Sequence, residues 1–304
     1  RIVKHNADRK RIGQLTWAER GDSTAGGYMY RKQGWIPNGV MSTSQSLEFS
    51  YNDYSAALMA KALGYEDDYL KYEKRSHKWV NLWNPDLENR GYKGFMDARN
   101  ADGSFEFIQA DKVGGSWNSP FYEGSSWTYS YYVPHDFDLL IDLMGGKDAF
   151  VERLEYGFRN RLVKYDNEPG FLAPWAFSHA GRPDLASYWV HDTMDKGFDL
   201  KGYPGNEDTG SMGSWYVFCY LGFFPNAGQD LYYLSAPRCT SAEIRLADGK
   251  TLRIKANAAK GNVYIKSLKI NGQEWNSPFI THSILSKGGL WEFDLTDTPP
   301  IRQD

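Results

Sequence analysis

Two adjacent carboxylates, Glu207 and Asp208, stand in the glycine-rich segment "YPGNEDTGSMGSWYVFCYLGFF". The apolar residues that follow them predict a helix from about residue 210 to residue 222. A polar side chain at the start of a helix can accept hydrogen bonds from the unpaired N–H groups there, so Asp208, Thr209 or Ser211 could each cap this helix. Capping accounts for one of the two carboxylates. The other is a candidate for acid–base chemistry.

A further acidic residue, Glu123, lies in the aromatic segment "SPFYEGSSWTYSYYVPHDFD". Aromatic surroundings disfavour the charged form of a carboxyl group, and a general acid must hold its proton near neutral pH. The alternative is an exposed loop glutamate whose aromatic neighbours turn inward, since most glutamate side chains are exposed. Glu123 is therefore a candidate general acid with a plain structural alternative.

Three consecutive side chains with oxygen donors, Asp166, Asn167 and Glu168, precede a proline in "VKYDNEPGFLAPWAFSHAGRPD". Ca²⁺ prefers carboxylate, amide and backbone oxygens, so the segment is a candidate calcium site. An ordinary turn is the alternative, because Asp and Asn commonly hydrogen-bond their own backbone. The histidines His179 and His191 are too scattered to indicate a transition metal.

The overall composition limits the classes of function. The formal net charge is −3, which gives no indication of binding to nucleic acid or to an anionic membrane. No apolar run approaches the roughly 18 residues that a membrane-spanning helix needs. Only Cys219 and Cys239 are present, too few for a zinc site of cysteines, and a disulfide between them has no support from the sequence. Aromatic residues make up 16% of the chain, which fits either an aromatic core or a sugar-binding cleft.

The candidate residues stand in loops of a region that is mainly helical. Residues up to about 41 are rich in Gly and Tyr and indicate a loop. Periodic apolar residues and stop signals then predict helices, at about 42–63, 67–83, 136–144, 148–161, 184–196 and 210–222. Between 84 and 105 a second loop is expected.

The pattern changes after about residue 230. Alternating residues on both sides of Asp248-Gly249 and of Asn271-Gly272 predict β-hairpins, and "GGLWEFDLT" predicts a further strand. The chain is therefore predicted to be mainly α with a C-terminal β module. We place a helical portion at 1–229 and a small antiparallel β module at 230–304. Paired helices with functional loops suggest a toroid of α-hairpins, but there are too few helices here to close one.

Several segments resemble the signature blocks of glycoside hydrolase family 92, whose members are Ca²⁺-dependent exo-acting α-mannosidases. The matching segments are "LEFSYNDYSAALMAKALG", "GFMDARNADGSF", "FYEGSSWTYSYYVPHD", "NEPGFLAPWAFSHAGRP", "GNEDTGSMGSWYVFCYLGFFP" and "THSILSKGGLWEFDL". They follow one another in the family's order from about residue 34 to about residue 295. Several blocks in register make this resemblance more specific than any single motif.

The resemblance implies a role for each matching position. Glu123 is similar to the family's general acid, and Asp208 to its general base. Asn167 and Glu168 lie in the segment that supplies Ca²⁺ ligands. Four further residues in the matching segments are expected to contact substrate: Trp127, Glu207, Trp175 and His282. Many relatives have Asp at the position of Asn206, so more weight falls on Asp208 here.

The resemblance also implies a fold and a reaction. The expected fold is part of an (α/α)6 toroid followed by the β region, and the family's N-terminal β-sandwich is expected to be missing from this chain. The expected reaction is the removal of terminal α-linked mannose from glycans with inversion, in a periplasmic, cell-surface or secreted protein. The alternative is an inactive or non-catalytic carbohydrate-binding fragment that lacks the N-terminal half of the enzyme.

Overall fold

The structure, a computed structural model, describes residues 2–8, 25–114, 118–205 and 207–300. The chain divides into two compact units, Arg1–Lys164 and Tyr165–Asp304. Asn206 lies outside the described residues. The division predicted from composition, a helical portion to residue 229 and a β module after it, stays a prediction.

The first unit is mainly helical. Its helices are α1 (Ile2–Asp8), α2 (Ala25–Gln33), α3 (Ser42–Ala62), α4 (Glu66–Ser76), α5 (Ser126–Tyr129), α6 (Phe137–Leu143) and α7 (Lys147–Arg159), and a 3-10 helix covers His77–Leu82. Its strands are β1 (Trp83–Asn89) and β2 (Tyr92–Met96). The predicted helices at 42–63, 136–144 and 148–161 are thus confirmed to within two residues.

A buried ion pair joins α3 to α4. Nε of Arg75 donates a hydrogen bond to Asp53 Oδ2 at 2.6 Å, and the hydroxyl of Tyr30 in α2 donates to the same oxygen at 3.0 Å. A buried carboxylate needs such partners, because leaving it unpaired costs several kcal/mol, on the order of 3–5. Helices α1 and α2 lie in the region that was expected to be a loop, so that expectation is wrong for Ile2–Asp8 and for Ala25–Gln33.

The β1–β2 hairpin replaces the end of a predicted helix. The α-helical part of the segment predicted at 67–83 ends at Ser76, and the chain enters β1 at Trp83. Trp83 pairs with Met96, and the turn at Arg90 and Gly91 has positive φ angles of 53° and 83°. The loop expected between 84 and 105 therefore contains an antiparallel hairpin, which precedes the segment that holds Glu123.

The second unit combines helices with two sheets. Its helices are α8 (Ala176–His179), α9 (Pro183–Gly197), α10 (Ser211–Leu221) and α11 (His282–Leu285), with 3-10 helices at Glu168–Gly170, Ala173–Trp175 and Ala247–Gly249. Its strands are β3 (Phe223–Pro225), β4 (Tyr232–Leu234), β5 (Ser241–Arg245), β6 (Thr251–Ala256), β7 (Tyr264–Ile270), β8 (Gln273–Glu274), β9 (Phe279–Ile280) and β10 (Gly289–Thr296).

Both predicted hairpin turns are present in the five-stranded sheet, whose order is β5-β6-β10-β7-β8. Asp248 and Asn271 have φ angles of 59° and 52°, in the left-handed region that such turns require. The predicted β module is antiparallel with one exception, since β10 pairs with β6 in a parallel arrangement. Alternate residues of β6, β7 and β10 form the core of this sheet, among them Ile254, Leu268 and Trp291.

Helices α9 and α10 meet in an aromatic cluster. Trp215 stacks on Phe198 with ring centroids 5.8 Å apart, and Cys219 is fully buried beside it. Both cysteines, Cys219 and Cys239, are free and buried. The cluster anchors α10 and thereby fixes the loop that precedes this helix. In the described part of the chain, no helix has the length and apolar character needed to cross a membrane.

Candidate active site

The Glu123 loop is held by the N-terminal turn of α3 and by α5. The amide groups of Thr43 and Ser44 both donate to the carbonyl of Pro120, at 3.0 and 3.2 Å. The Ser44 hydroxyl oxygen accepts a hydrogen bond from the Tyr122 amide at 3.2 Å. Glu123 itself is partly buried and has a φ angle of 44°, a left-handed conformation that is unusual for a residue other than Gly. The loop is thus a built structure rather than an open turn.

Sequence analysis missed a second carboxyl group in this region, that of Glu48. Glu48 lies one helical turn after Ser44 on α3, and burial raises the pKa of its carboxyl group, opposed by a hydrogen bond from Tyr132. Glu48 and Glu123 both help to raise the pKa of the Tyr129 hydroxyl, after burial as the largest cause. The sequence contains one signal for Glu48: the buried face of α3 carries several polar residues, and buried polar groups need hydrogen-bond partners.

The two adjacent carboxylates of the second unit have different roles. The residue at the N-cap of α10 is Gly210, which has no side chain that could cap the helix. The carboxylate of Glu207 instead accepts from the Gly213 amide in the first turn, at 3.3 Å from both oxygens. Asp208 is exposed, and its carboxylate forms no hydrogen bond with a described residue. The cap of α10 is therefore Glu207 rather than any of the three residues proposed from the sequence, and Asp208 is left available.

The "DNEP" turn packs directly against the acidic loop. The hydroxyl of Ser211, the first residue of α10, lies 2.6 Å from Glu168 Oε1 and donates to it, with the carbonyl of Glu207 as a second acceptor at 2.8 Å. Gly205 lies so close to the turn that a Cβ atom there would be 1.8 Å from the carbonyl oxygen of Asp166. The Glu168 carboxylate therefore lies against the acidic loop that contains Glu207 and Asp208.

The DNEP turn contains local hydrogen bonding as well. Oδ1 of Asn167 accepts a hydrogen bond from the Glu168 amide at 2.9 Å, which is the plain turn that the sequence left as an alternative. Asn167 is buried, with 8% of its surface exposed. The local turn does not exclude a role in the site, because the carboxylate of Glu168 still lies at the acidic loop.

The other expected substrate contacts are placed differently. Trp127 and Trp175 are both fully buried, Trp127 with its Nε1 donating to Asn89 at 2.8 Å and Trp175 stacked on Tyr233 at 5.7 Å. Their burial disfavours contact with a sugar, so this role stays a prediction for both. His282 is exposed at the start of α11, and its Nδ1 lies 2.9 Å from the Tyr232 hydroxyl.

The donor oxygens near Asn167 and Glu168 match Ca²⁺ in kind but are few. Ca²⁺ takes about 6–8 oxygen ligands. Oδ1 of Asn167 and Oε1 of Glu168 already accept hydrogen bonds. Among the residues that the structure describes, no group of three or more His, Cys, Asp or Glu side chains is placed to hold a metal ion. These residues can supply part of a calcium site and cannot complete one.

Comparison with known proteins identifies the family. Residues 1–297 match the model of the glycosyl hydrolase family 92 catalytic domain. The chain belongs to glycosyl hydrolase family 92. The family 92 chain is also 33% identical to a protein of Arthroderma benhamiae described as an uncharacterized secreted glycosidase, over 94% of this chain and 39% of that protein.

Solved structures of the same family share the fold. An inverting mannosidase of family 92 from Bacteroides thetaiotaomicron matches with a TM-score of 0.84 and 28% identity, over 98% of this chain and 42% of that one. An α-mannosidase from the same organism, in complex with mannoimidazole, matches with a TM-score of 0.83 and 25% identity, over 98% of this chain and 43% of that one. These matches confirm the predicted fold class, part of an (α/α)6 toroid followed by a small β region.

The chain spans less than half the length of each of these three proteins, from 39% to 43%. Family 92 is a family of glycosyl hydrolases. Glu48, like Glu123 and Asp208, lies within a segment by which the sequence resembled the family, but the resemblance did not indicate a role for it.

Proposed function

We propose that this chain is part of an enzyme that removes terminal α-linked mannose from glycans with inversion of configuration. Glu123 acts as the general acid and Asp208 as the general base. The proposal is supported by membership of family 92 and by the two mannosidases of that family that share the fold. A location outside the cytoplasm is proposed on the description of the fungal relative as secreted.

One observation carries the assignment of the base. Glu207 is engaged by the first turn of α10, whereas the carboxylate of Asp208 is exposed and makes no hydrogen bond with a described residue. A general base must be able to turn its carboxylate towards the attacking water, and the first turn of α10 holds the Glu207 carboxylate but not that of Asp208. In the proposed reaction Asp208 takes a proton from the water molecule that attacks the anomeric carbon. Glu123 gives its proton to the departing oxygen, and a single displacement inverts the configuration.

Calcium binding at Asn167 and Glu168 belongs to the same proposal. When bound, Ca²⁺ would supply a positive charge that holds two sugar hydroxyl groups. Neighbouring residues contribute without it: Ser211 orients Glu168 by its hydrogen bond, and the fixed contact between Gly205 and Asp166 sets the position of the turn. The remaining oxygens of the coordination sphere would have to come from water, from substrate or from residues outside the described ones.

The test uses two proteins. One is this chain alone, and the other, called the extended enzyme, also contains the part of the family 92 relatives that this chain does not span. Hydrolysis of mannobiose and of an aryl α-mannoside is measured, and the anomer first released is identified by proton NMR. We expect β-mannose as the first product and a loss of about 10²–10⁴-fold in kcat for Asp208→Asn on both substrates. Asp248→Asn is the matched control, since Asp248 is also exposed and also has a positive φ angle, 59° against 31° for Asp208.

Two outcomes would contradict the proposal. Release of α-mannose first would exclude inversion. Binding of mannobiose without hydrolysis, by the extended protein as well as by the chain, would favour the non-catalytic carbohydrate-binding alternative.

A further inference from the structure

The backbone at Glu123 is held in a conformation that it does not favour by itself. Its φ angle of 44° brings the Cβ atom close to backbone atoms, which is why left-handed conformations are mainly adopted by Gly. Such a conformation persists only where the surrounding structure holds it. The neighbours of the Glu123 backbone therefore determine where its carboxyl group lies.

One side chain contacts the backbone on both sides of Glu123. The hydroxyl group of Tyr129 donates a hydrogen bond to the carbonyl of Tyr122 at 2.7 Å, immediately before Glu123. The ring of the same residue lies against Gly124, where a Cβ atom would be 2.7 Å from Cε2 and 3.1 Å from Cδ2. Tyr129 thus fixes the residue before Glu123 by a hydrogen bond and the residue after it by packing.

The position of Tyr129 is itself determined by the fold. Only 1% of its surface is exposed, and it ends α5, whose N-cap Ser125 accepts a hydrogen bond from the Thr128 amide. Its ring packs against Phe121 with centroids 5.3 Å apart. Burial raises the pKa of the Tyr129 hydroxyl well above 10, so the group keeps its proton and remains a donor at physiological pH.

We propose that Tyr129 is a positioning residue for Glu123: its hydroxyl group and ring hold the two flanking residues so that the Glu123 carboxyl group keeps one orientation. The inference rests on the proposed role of Glu123 as the general acid. It also explains the residue type at 124, since any side chain larger than hydrogen there would collide with the ring. In this role Tyr129 acts on Glu123 through the backbone of Tyr122 and of Gly124.

The test compares Tyr129→Phe with Tyr156→Phe in the extended enzyme. Tyr129→Phe keeps the ring and removes the donor. Tyr156→Phe is the control, because Tyr156 belongs to the neighbouring aromatic cluster and its hydroxyl makes no hydrogen bond with a described residue. We expect Tyr129→Phe to lower kcat for mannobiose about 10-fold or more and to leave KM little changed. The kcat for an aryl mannoside should fall much less, since the aryl group is a good leaving group and needs little protonation to depart.

A readout that is independent of activity keeps this inference separate from the proposed function. Amide hydrogen exchange of residues 121–125 is measured in the chain itself, and we expect it to accelerate in Tyr129→Phe and not in Tyr156→Phe. Gly124→Ala provides a second variant, for which we expect the same pattern: a larger loss of kcat on mannobiose than on the aryl mannoside. Unchanged exchange in Tyr129→Phe would overturn the inference, as would equal losses of kcat on both substrates. An inactive wild-type enzyme with accelerated exchange in the variant would reject the role of Glu123 while supporting its positioning by Tyr129.

Discussion

The hydroxyl group of Ser211 donates to Oε1 of Glu168 at 2.6 Å, and so joins two segments that are 43 residues apart in the sequence. One segment supplies the proposed general base Asp208, and the other supplies the proposed calcium ligands Asn167 and Glu168. A hydroxyl–carboxylate hydrogen bond is short and directional, so it sets the orientation of the Glu168 side chain. The relationship brings two separately recognised sequence segments into one site region.

Removing this hydrogen bond should impair the site more than the fold. For Ser211→Ala in the extended enzyme we expect about a 10-fold loss of kcat/KM on mannobiose, equivalent to about 1.4 kcal/mol, from a hydrogen bond to a charged group. Ser214→Ala is the control, because Ser214 is exposed on the same helix. Ser211→Thr, which keeps the hydroxyl, should recover most of the activity. Equal kinetics for Ser211→Ala and Ser214→Ala would show that the hydrogen bond has no part in the site.

The contact between Gly205 and the DNEP turn leads to a stability prediction. Gly205→Ala would place a methyl group 1.8 Å from the Asp166 carbonyl oxygen, in addition to the strain of a φ angle of 65°. Gly181→Ala bears a similar strain at a φ angle of 77°, with no atom of a described residue within 4 Å of its Cβ. We expect about 1–2 kcal/mol of destabilisation for Gly181→Ala and a clearly larger loss for Gly205→Ala. The measurement is urea unfolding followed by circular dichroism. Equal losses would mean that the acidic loop does not pack on the turn as described.

His191 gives a prediction about pH. Its Nε2 lies 2.7 Å from the Ala236 carbonyl and must donate to it, while its Nδ1 accepts from Arg238 Nε at 3.1 Å. Burial, with the charge of Arg238 as a smaller cause, lowers the pKa of His191 to about 4 from its ordinary value of 6.5. A folded-state pKa below the unfolded value means that the contribution to stability is complete above pH 6.5 and is lost as the pH falls from 6.5 towards 4.

The loss expected from His191 in that range is about 3 kcal/mol, at about 1.4 kcal/mol for each pKa unit. Unfolding free energies at pH 7.5 and pH 4.5 should therefore differ less in His191→Gln than in the wild-type chain. His282→Gln, which removes an exposed histidine, is the control. His135 has a pKa lowered to about 4 by burial, so part of the acid sensitivity should remain in His191→Gln. An unchanged difference between the two pH values would show that His191 is not held neutral.

Glu48 should show the opposite dependence on pH. Burial raises the pKa of its carboxyl group, so its contribution to stability is complete below the unfolded value of 4.5 and is lost as the pH rises through the folded value. Glu48→Gln keeps an acceptor for Tyr132 and removes the charge. We expect its unfolding free energy to fall less between pH 4.5 and pH 8 than that of the wild-type chain. A larger fall in the variant would contradict the raised pKa.

Helices could be predicted from the sequence where the apolar residues keep one helical spacing over many residues. The regular apolar spacing from Leu47 to Leu58 gave α3, and the hairpin turns at Asp248-Gly249 and Asn271-Gly272 gave two strand pairs. The β1–β2 hairpin was missed because Arg90-Gly91 is a weaker turn signal than Asn-Gly, and because Trp83 reads as the last residue of an apolar helical stripe. In such a segment, packing against residues that are distant in the chain decides between helix and strand.

The sequence allowed the residues of the site to be predicted, but not the hydrogen bonds between them. Resemblance to the family pointed to Glu123, Asp208 and Glu168. That Glu207 rather than Asp208 caps α10 depends on the left-handed φ angles of Asp208 and Thr209, 31° and 63°, which move the chain back over the helix end. No local pattern encodes that path. The pairing of Ser211 with Glu168 likewise depends on the fold of the whole second unit.

The last prediction concerns calcium, and isothermal titration calorimetry with the ion alone provides its measurement. The oxygens near Asn167 and Glu168 are suitable in kind but too few for the roughly 6–8 that the ion takes. We therefore expect weak binding by the chain, and tighter binding by the extended protein if residues beyond this chain complete the site. Glu168→Gln should weaken binding about 10-fold or more by removing a charged ligand. Glu106→Gln changes an exposed carboxylate of the first unit and should leave calcium binding unchanged.

Full mannosidase activity of the extended enzyme after exhaustive chelation, with no metal found by elemental analysis, would contradict a calcium requirement. Equal affinities for Glu168→Gln and wild type would place the ion elsewhere.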